Sequence, residues 1–161
     1  MNFGLTSEQQ MLVEATRAFV EAELVPFENE VEKTDKVRPE VIKQIHERAI
    51  KSGFYAVNMP EGLGGGGLDH VALTLFEREL GRTSFALQYA VHRPSNILRA
   101  CNDEQKERYL LPTIRGERVE CLGITEPDAG SDVRSMKTRA EVDGDDFILN
   151  GTKHFISYAD V

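Results

Sequence analysis

Cysteine is scarce: the chain has only Cys101 and Cys121, and neither belongs to a CxxC pair or a Cys/His cluster. That spacing argues against a structural zinc site. Two thiols in 161 residues read instead as small buried hydrophobes in a protein of a reducing compartment, the cytoplasm or another like it. Basic residues are outnumbered, with 19 Lys and Arg against 27 Asp and Glu and a formal net charge of −8. Nucleic acid is a poor main partner for such a chain, because neutralising phosphates takes a basic patch. An anionic small ligand is not excluded, since a few local cations can hold one against the net charge. No segment is long and apolar enough to span a membrane, and the first residues, MNFGLTSE, lack the basic start and apolar run of a signal peptide. No internal repeat and no low-complexity linker occurs.

What is present is enough apolar residue, 40% of the chain, for a core. The length allows one domain, or one domain with part of another. Thr6 and Gln9 stand at the spacing of a capping box. Leu12, Ala15, Phe19 and Ala22 follow at intervals of three and four, which predicts a helix closed by Pro26. Pro39 suits the first position of a second helix, with Val41, Ile42, Ile45, Ala49 and Ile50 on its inner face and Gly53 as its stop. Residues 54–59, FYAVNM, read as an extended apolar run before the glycine-rich segment 62–67. Asp69 caps a third helix carrying Leu73, Phe76 and Leu80 and stopped by Gly81. Ser84 caps a fourth, running to about Val91. Pro94 interrupts it, Ser95 caps a continuation toward Cys101, and Asn102 with Gln105 caps a last helix ended by Pro112.

After Gly116 the period changes. Residues 119–124 read as a buried strand, and residues 137–142 alternate like a strand with one wet face. Asp143-Gly144 and Asn150-Gly151 are hairpin turn signals on either side of residues 147–149. Three or so strands would leave an open edge and half a core, so more chain, or another chain, is expected to cover them.

Several motifs resolve into bland readings. GLGGGG at 62–67 matches GxGxxG, but Pro60 and Glu61 separate it from the apolar run and Arg82 stands where an acid is needed; it reads as a flexible connector. His46-Glu47 begins an HExxH pattern whose second ligand is missing, Ile50 standing in its place, and reads as a helix-surface pair. His92 and His154 have no nucleophile or acid at a telling spacing. Glu28, Glu30, Glu32 and Asp35, mixed with Lys33 and Lys36, read as a solvated loop or helix end.

Two segments carry more. CLGITEPDAGSD at 121–132 reads as a strand entering a tight turn rich in hydroxyls and carboxylates. NGTKHFIS at 150–157 ends in an aromatic ring and a hydroxyl. Together they offer two backbone edges, Thr125, Ser131, Ser157 and the Phe155 ring, a set able to hold a planar cofactor rich in heteroatoms.

These two segments, with LTSEQ at 5–9, PEGLGG at 60–65 and QKERYLLP at 105–112, resemble the acyl-CoA dehydrogenase family in the order in which they occur. The resemblance implies an α+β fold: an all-α domain over residues 1–117, then the first strands of an antiparallel, barrel-like β-domain over 118–161, truncated. It implies FAD as cofactor, lined by Leu122, Ile124, Thr125, Ser131, Phe155, Ile156 and Ser157. Thr125 would face the pyrimidine side of the ring, Ser131 both flavin and the substrate thioester, and Ser157 flavin N5. The family's usual Trp-Ile-Thr is Phe-Ile-Ser here, which keeps a stacking face and a hydroxyl and loses the indole donor. The implied reaction is α,β-desaturation of an acyl-CoA, with electrons leaving to an electron-transfer flavoprotein from a homo-oligomeric enzyme. The base would be a glutamate of a C-terminal helical domain that these residues lack. No catalytic residue is therefore expected in this chain, Glu126 belongs to the turn, and the chain alone is expected to be inactive. An acyl-CoA oxidase, a nitroalkane oxidase and a flavin-dependent monooxygenase share the same scaffold. A non-catalytic module that binds a partner through its open β edge is the alternative outside flavoenzymes.

Overall fold

A computed structural model of the chain describes residues 4–91, 93–157 and 159. The readings made at His92 and at Val161 lie outside the described residues. The chain divides into two units, Met1–Val119 and Glu120–Val161.

The first unit is helical. Helix α1 (Ser7–Phe19) begins with the expected capping box: the Gln9 amide donates to the Thr6 hydroxyl at 3.2 Å, and the Thr6 amide donates to the Gln9 side chain at 3.0 Å. Pro26 does not close this helix. A π-helical turn, Val20–Leu24, leads directly into α2 (Val25–Thr34), with Pro26 in its first turn. The same happens at Pro112, where α6 (Asp103–Gln105) passes through the π turn Lys106–Leu110 into α7 (Leu111–Ile114). In both places the residue before the proline donates five residues back, Val25 to the Val20 carbonyl and Leu111 to the Lys106 carbonyl. The wider turn displaces the carbonyl that a proline ring would otherwise meet, so the helix absorbs the proline.

Helix α3 (Pro39–Lys51) starts at its proline and ends as read. Gly53, at φ 73°, lets its own amide reach the Ile50 carbonyl and the Phe54 amide reach the Ala49 carbonyl. Its buried stripe is narrower than expected: Val41, Ile45 and Ala49 are inside, while Ile42 and Ile50 stay exposed. His46, between those two on the flank, is more than a surface residue. Its Nε2 donates to the Gly116 carbonyl at 3.0 Å, and its ring packs edge-on against Tyr55 at 4.9 Å.

Residues 54–59 are not extended. They form buried turns, and the glycine-rich segment folds back on them. Gly66 donates to the Ala56 carbonyl, Gly67 to Met59 and Leu68 to Val57. A Cβ at Gly65 would lie 2.3 Å from the Met59 carbonyl oxygen, so the glycines serve close packing rather than flexibility. Asp69 caps α4 (His70–Leu80) through the Ala72 amide as read. Helix α5 (Phe85–Gln88) stops three residues short of Val91, and the Ser95 continuation is a 3-10 turn, Asn96–Ala100. The core gathers Val20, Leu24, Ile45, Met59, Phe76, Leu80, Leu87 and Leu110. Phe54 contacts Phe19 at 5.1 Å and Phe76 at 5.7 Å between ring centroids.

The second unit is thinner. Strands β1 (Arg139–Asp143) and β2 (Asp146–Asn150) form one antiparallel hairpin, turned at Gly144 as expected. Cross-strand pairing puts Ala140, Val142, Phe147 and Leu149 on one face, and that face is exposed. The reading of a second hairpin at Asn150-Gly151 is overturned, because the chain runs on past Gly151, whose Cβ would lie 2.1 Å from the Thr138 hydroxyl. Residues 119–124 are not a buried strand either. No neighbouring strand forms a ladder with them, and Val119, Leu122 and Ile124 are exposed. Cys101 is only half-buried and Cys121 exposed, so the reading of both as buried hydrophobes does not hold.

Candidate functional site

The two sequence segments lie side by side in the second unit. The His154 amide donates to the Thr125 carbonyl at 2.7 Å, and Lys153 Nζ donates to the Ile124 carbonyl at 2.9 Å. Gly123 is close enough to this partner that a Cβ on it would touch Ile156 and Lys153 at 3.4 Å. Thr125, Phe155 and Ile156 are thereby brought together. No hydrogen bond among the described residues joins Ser131 to Thr125.

The turn between Thr125 and Ser131 closes through paired backbone bonds, Glu126 to Ala129 at 2.9 Å and Ala129 to Glu126 at 3.2 Å, around Pro127 and Asp128. Asp132 then accepts from the Arg134 amide and the Ser135 hydroxyl, capping the 3-10 turn Val133–Ser135. Ala129 and Glu126 are both buried.

Glu126 is the residue whose part the sequence did not disclose. Its carboxylate accepts from Lys153 Nζ at 2.8 Å, from the Lys137 amide at 2.6 Å and from the Thr138 amide at 3.0 Å. The Lys153 ammonium, first, and then the hydrogen bonds from Thr138 and the Lys137 amide lower its pKa to about 2. A carboxylate so low, with its oxygens engaged, is a poor proton acceptor at neutral pH. That agrees with its reading as part of the turn. Glu126 and Lys153 are far apart in sequence, and no periodicity pairs them.

The remaining candidates face outward. Thr125 and Ile156 are half-buried, while Leu122, Ile124, Ser131 and Ser157 are exposed. Phe155 is 91% exposed and holds φ 54°, a left-handed conformation unusual for an aromatic residue. The His154 ring meets it edge-on at 5.8 Å. The result is a neutral wall: an open ring face, hydroxyls, and backbone groups of residues 121–125 that no strand pairs with. Such a wall suits the planar, heteroatom-rich ring of a flavin. Two of the cations nearby are engaged, Lys153 by Glu126 and Lys137 by Asp128 at 2.7 Å. Among the described residues no group of three His, Cys, Asp or Glu could hold a metal ion, and no helix is long and apolar enough to cross a membrane.

Comparison with known proteins matches residues 6–117 to the acyl-CoA dehydrogenase N-terminal domain and residues 121–161 to the acyl-CoA dehydrogenase middle domain. The 3-(aryl)acrylate reductase of Clostridium sporogenes is 35% identical over 97% of this chain and 42% of its own length. The mitochondrial isovaleryl-CoA dehydrogenase of Bos taurus is 34% identical over 96% of this chain and 37% of its own length. The chain thus spans about two fifths of the length of these relatives. Among solved structures, a glutaryl-CoA dehydrogenase from Mycobacterium smegmatis in complex with FADH2 superposes with a TM-score of 0.78 at 29% identity, covering 94% of this chain and 39% of that one.

Proposed function

The chain belongs to the acyl-CoA dehydrogenase family, and on that premise we propose that it forms one wall of the FAD site of an enzyme that interconverts saturated and α,β-unsaturated acyl-CoA thioesters. The observation that supports this reading is the bond of the His154 amide to the Thr125 carbonyl, which brings the segment carrying the exposed Phe155 ring alongside the first segment. FAD bound there would supply the hydride acceptor for the substrate β-carbon.

The chain's own residues would bind and orient. The Phe155 ring and Ile156 would pack on the flavin ring, with Leu122 and Ile124 extending the apolar surface. The Thr125 and Ser157 hydroxyls would donate to ring heteroatoms, and Ser131 would sit where flavin and thioester meet. Residues 1–117 would form the helical domain of the longer protein and 118–161 the start of its β-domain. The phosphates, the adenosine and the proton-abstracting carboxylate would be served from outside these 161 residues. Electrons would pass to an electron-transfer flavoprotein, and the full-length enzyme would be a homo-oligomer.

A second reading, a partner-binding module, draws on the exposed apolar face of Val142, Phe147 and Leu149. Titration of the purified chain with FAD separates the two. Saturable change in the visible flavin spectrum, weakened in Thr125→Ala and Ser157→Val, supports the flavin wall. An unchanged spectrum, with solubility that depends on a second chain, supports the partner module.

A further inference from the structure

Lys153 Nζ is a meeting point. It donates to the Ile124 carbonyl at 2.9 Å and to the Glu126 carboxylate at 2.8 Å, and it lies 3.3 Å from Met136 Sδ. Glu126 in turn holds the Lys137 and Thr138 amides, at the entry to β1. Three stretches of chain, around residues 124–126, 136–138 and 153–155, thus converge on one buried carboxylate and one ammonium. Among the described residues, the backbone bond between His154 and Thr125 is not part of a ladder, because neither 119–124 nor 151–156 is a strand.

The convergence adjoins the outward-facing residues in the chain. Lys153 precedes Phe155 by two residues, and Glu126 follows Thr125. Phe155 keeps its left-handed φ of 54° with its ring almost fully exposed, so few contacts of its own hold it there. The two residues before it are bonded, the Lys153 side chain to Ile124 and Glu126 and the His154 amide to the Thr125 carbonyl. A lysine suits the task, since its compact ammonium has three donors that can point at a carbonyl, a carboxylate and a thioether at once, where a planar guanidinium would diverge.

We propose that Glu126 and Lys153 are positioning residues of the flavin-facing site: they set the Thr125 segment against the Phe155 segment and hold the Phe155 ring in the orientation that meets the flavin. The proposal rests on the function proposed above. Neither residue is among the proposed flavin contacts, so its effect would be felt through Thr125 and Phe155.

The test compares Lys153→Met and Glu126→Gln with the wild-type chain in two readouts. Amide hydrogen exchange at His154 reports the clamp, and FAD-induced amide shifts at Thr125 and Phe155 report the wall. Exchange across the β1–β2 hairpin, in the same unit, serves as the folding control. In both variants His154 should exchange at least tenfold faster, the FAD shifts at Phe155 should be lost, and the hairpin amides should stay protected. Lys153→Arg should restore either readout only in part. His154 exchange within twofold of wild type would overturn the clamp. A freed His154 with an unaltered FAD shift at Phe155 would overturn the positioning role. A wild-type chain whose Thr125 and Phe155 amides ignore FAD would overturn the functional reading and the positioning role with it, and exchange at His154 would then identify a structural clamp alone.

Discussion

The His154 amide and the Thr125 carbonyl meet at 2.7 Å, and this backbone bond brings together residues 122–125 and 155–157, which carry every proposed cofactor contact except Ser131. Among the described residues, no ladder joins these stretches, and they are held by that bond and by the Glu126–Lys153 pair beside it. The arrangement makes the site sensitive to a few side chains, and the consequences can be measured.

Acid should loosen the second unit. Glu126 has a folded pKa of about 2, below its ordinary value of 4.5, so the unfolded chain binds the proton more readily. The stabilisation it gives is therefore present above about pH 4.5 and is lost as pH falls toward 2. Exchange at the Lys137, Thr138 and His154 amides, followed from pH 5 downward and corrected for intrinsic rates, should accelerate across that window. In Glu126→Gln the corrected rates should be fast and nearly flat with pH.

The glycine-rich loop should discriminate between neighbouring glycines. Gly65→Ala places a methyl 2.3 Å from the Met59 carbonyl oxygen, whereas Gly62→Ala meets nothing within 4 Å. Gly65→Ala should cost roughly 2 kcal/mol or more, and Gly62→Ala should stay within about 0.5 kcal/mol of wild type. Urea denaturation followed by helical circular dichroism checks both.

In the helical core, Phe76 is fully buried and lies against Phe54. Phe76→Ala should cost about 3–5 kcal/mol by the same denaturation assay. The hairpin residue Phe147, two-thirds exposed, should tolerate Phe147→Ala with little change in that helical signal.

Much of the helical unit was legible because its signals are local. Thr6 with Gln9, Pro39, Gly53, Asp69 and Asn102 with Gln105 each act within one turn of helix, and each does what its spacing says. Pro26 and Pro112 misled because the device that accommodates them, a π turn, leaves no residue signature. Residues 54–59 read as extended because they are apolar, yet the carbonyls of Ala56, Val57 and Met59 accept from Gly66, Leu68 and Gly67 further along the chain. In the second unit the first hairpin was legible from Asp143-Gly144. Asn150-Gly151 gave the same signal without a returning strand to pair with. The outward-facing residues of the site were named from motif order, but the Glu126–Lys153 pair that supports them is a long-range contact between two ordinary surface residue types. Nothing in composition or period announces it.

The 161 residues should show no turnover. The buried carboxylate next to the wall, Glu126, is held by three donors, and its lowered pKa makes it a weak base. Purified chain supplied with FAD, acyl-CoA substrates of several lengths and an artificial electron acceptor should reduce none of the acceptor. Flavin-dependent reduction would show that a base is present among these residues.

The most direct test of the flavin wall is an amide chemical-shift map of the chain titrated with FAD, with ADP as the control for the adenosine half of the cofactor. The expected result is saturable shifts confined to residues 122–125 and 153–157, centred on Thr125 and Phe155, with ADP producing none of them. Shifts that ADP reproduces, or FAD shifts that leave Thr125 and Phe155 untouched, would contradict the account.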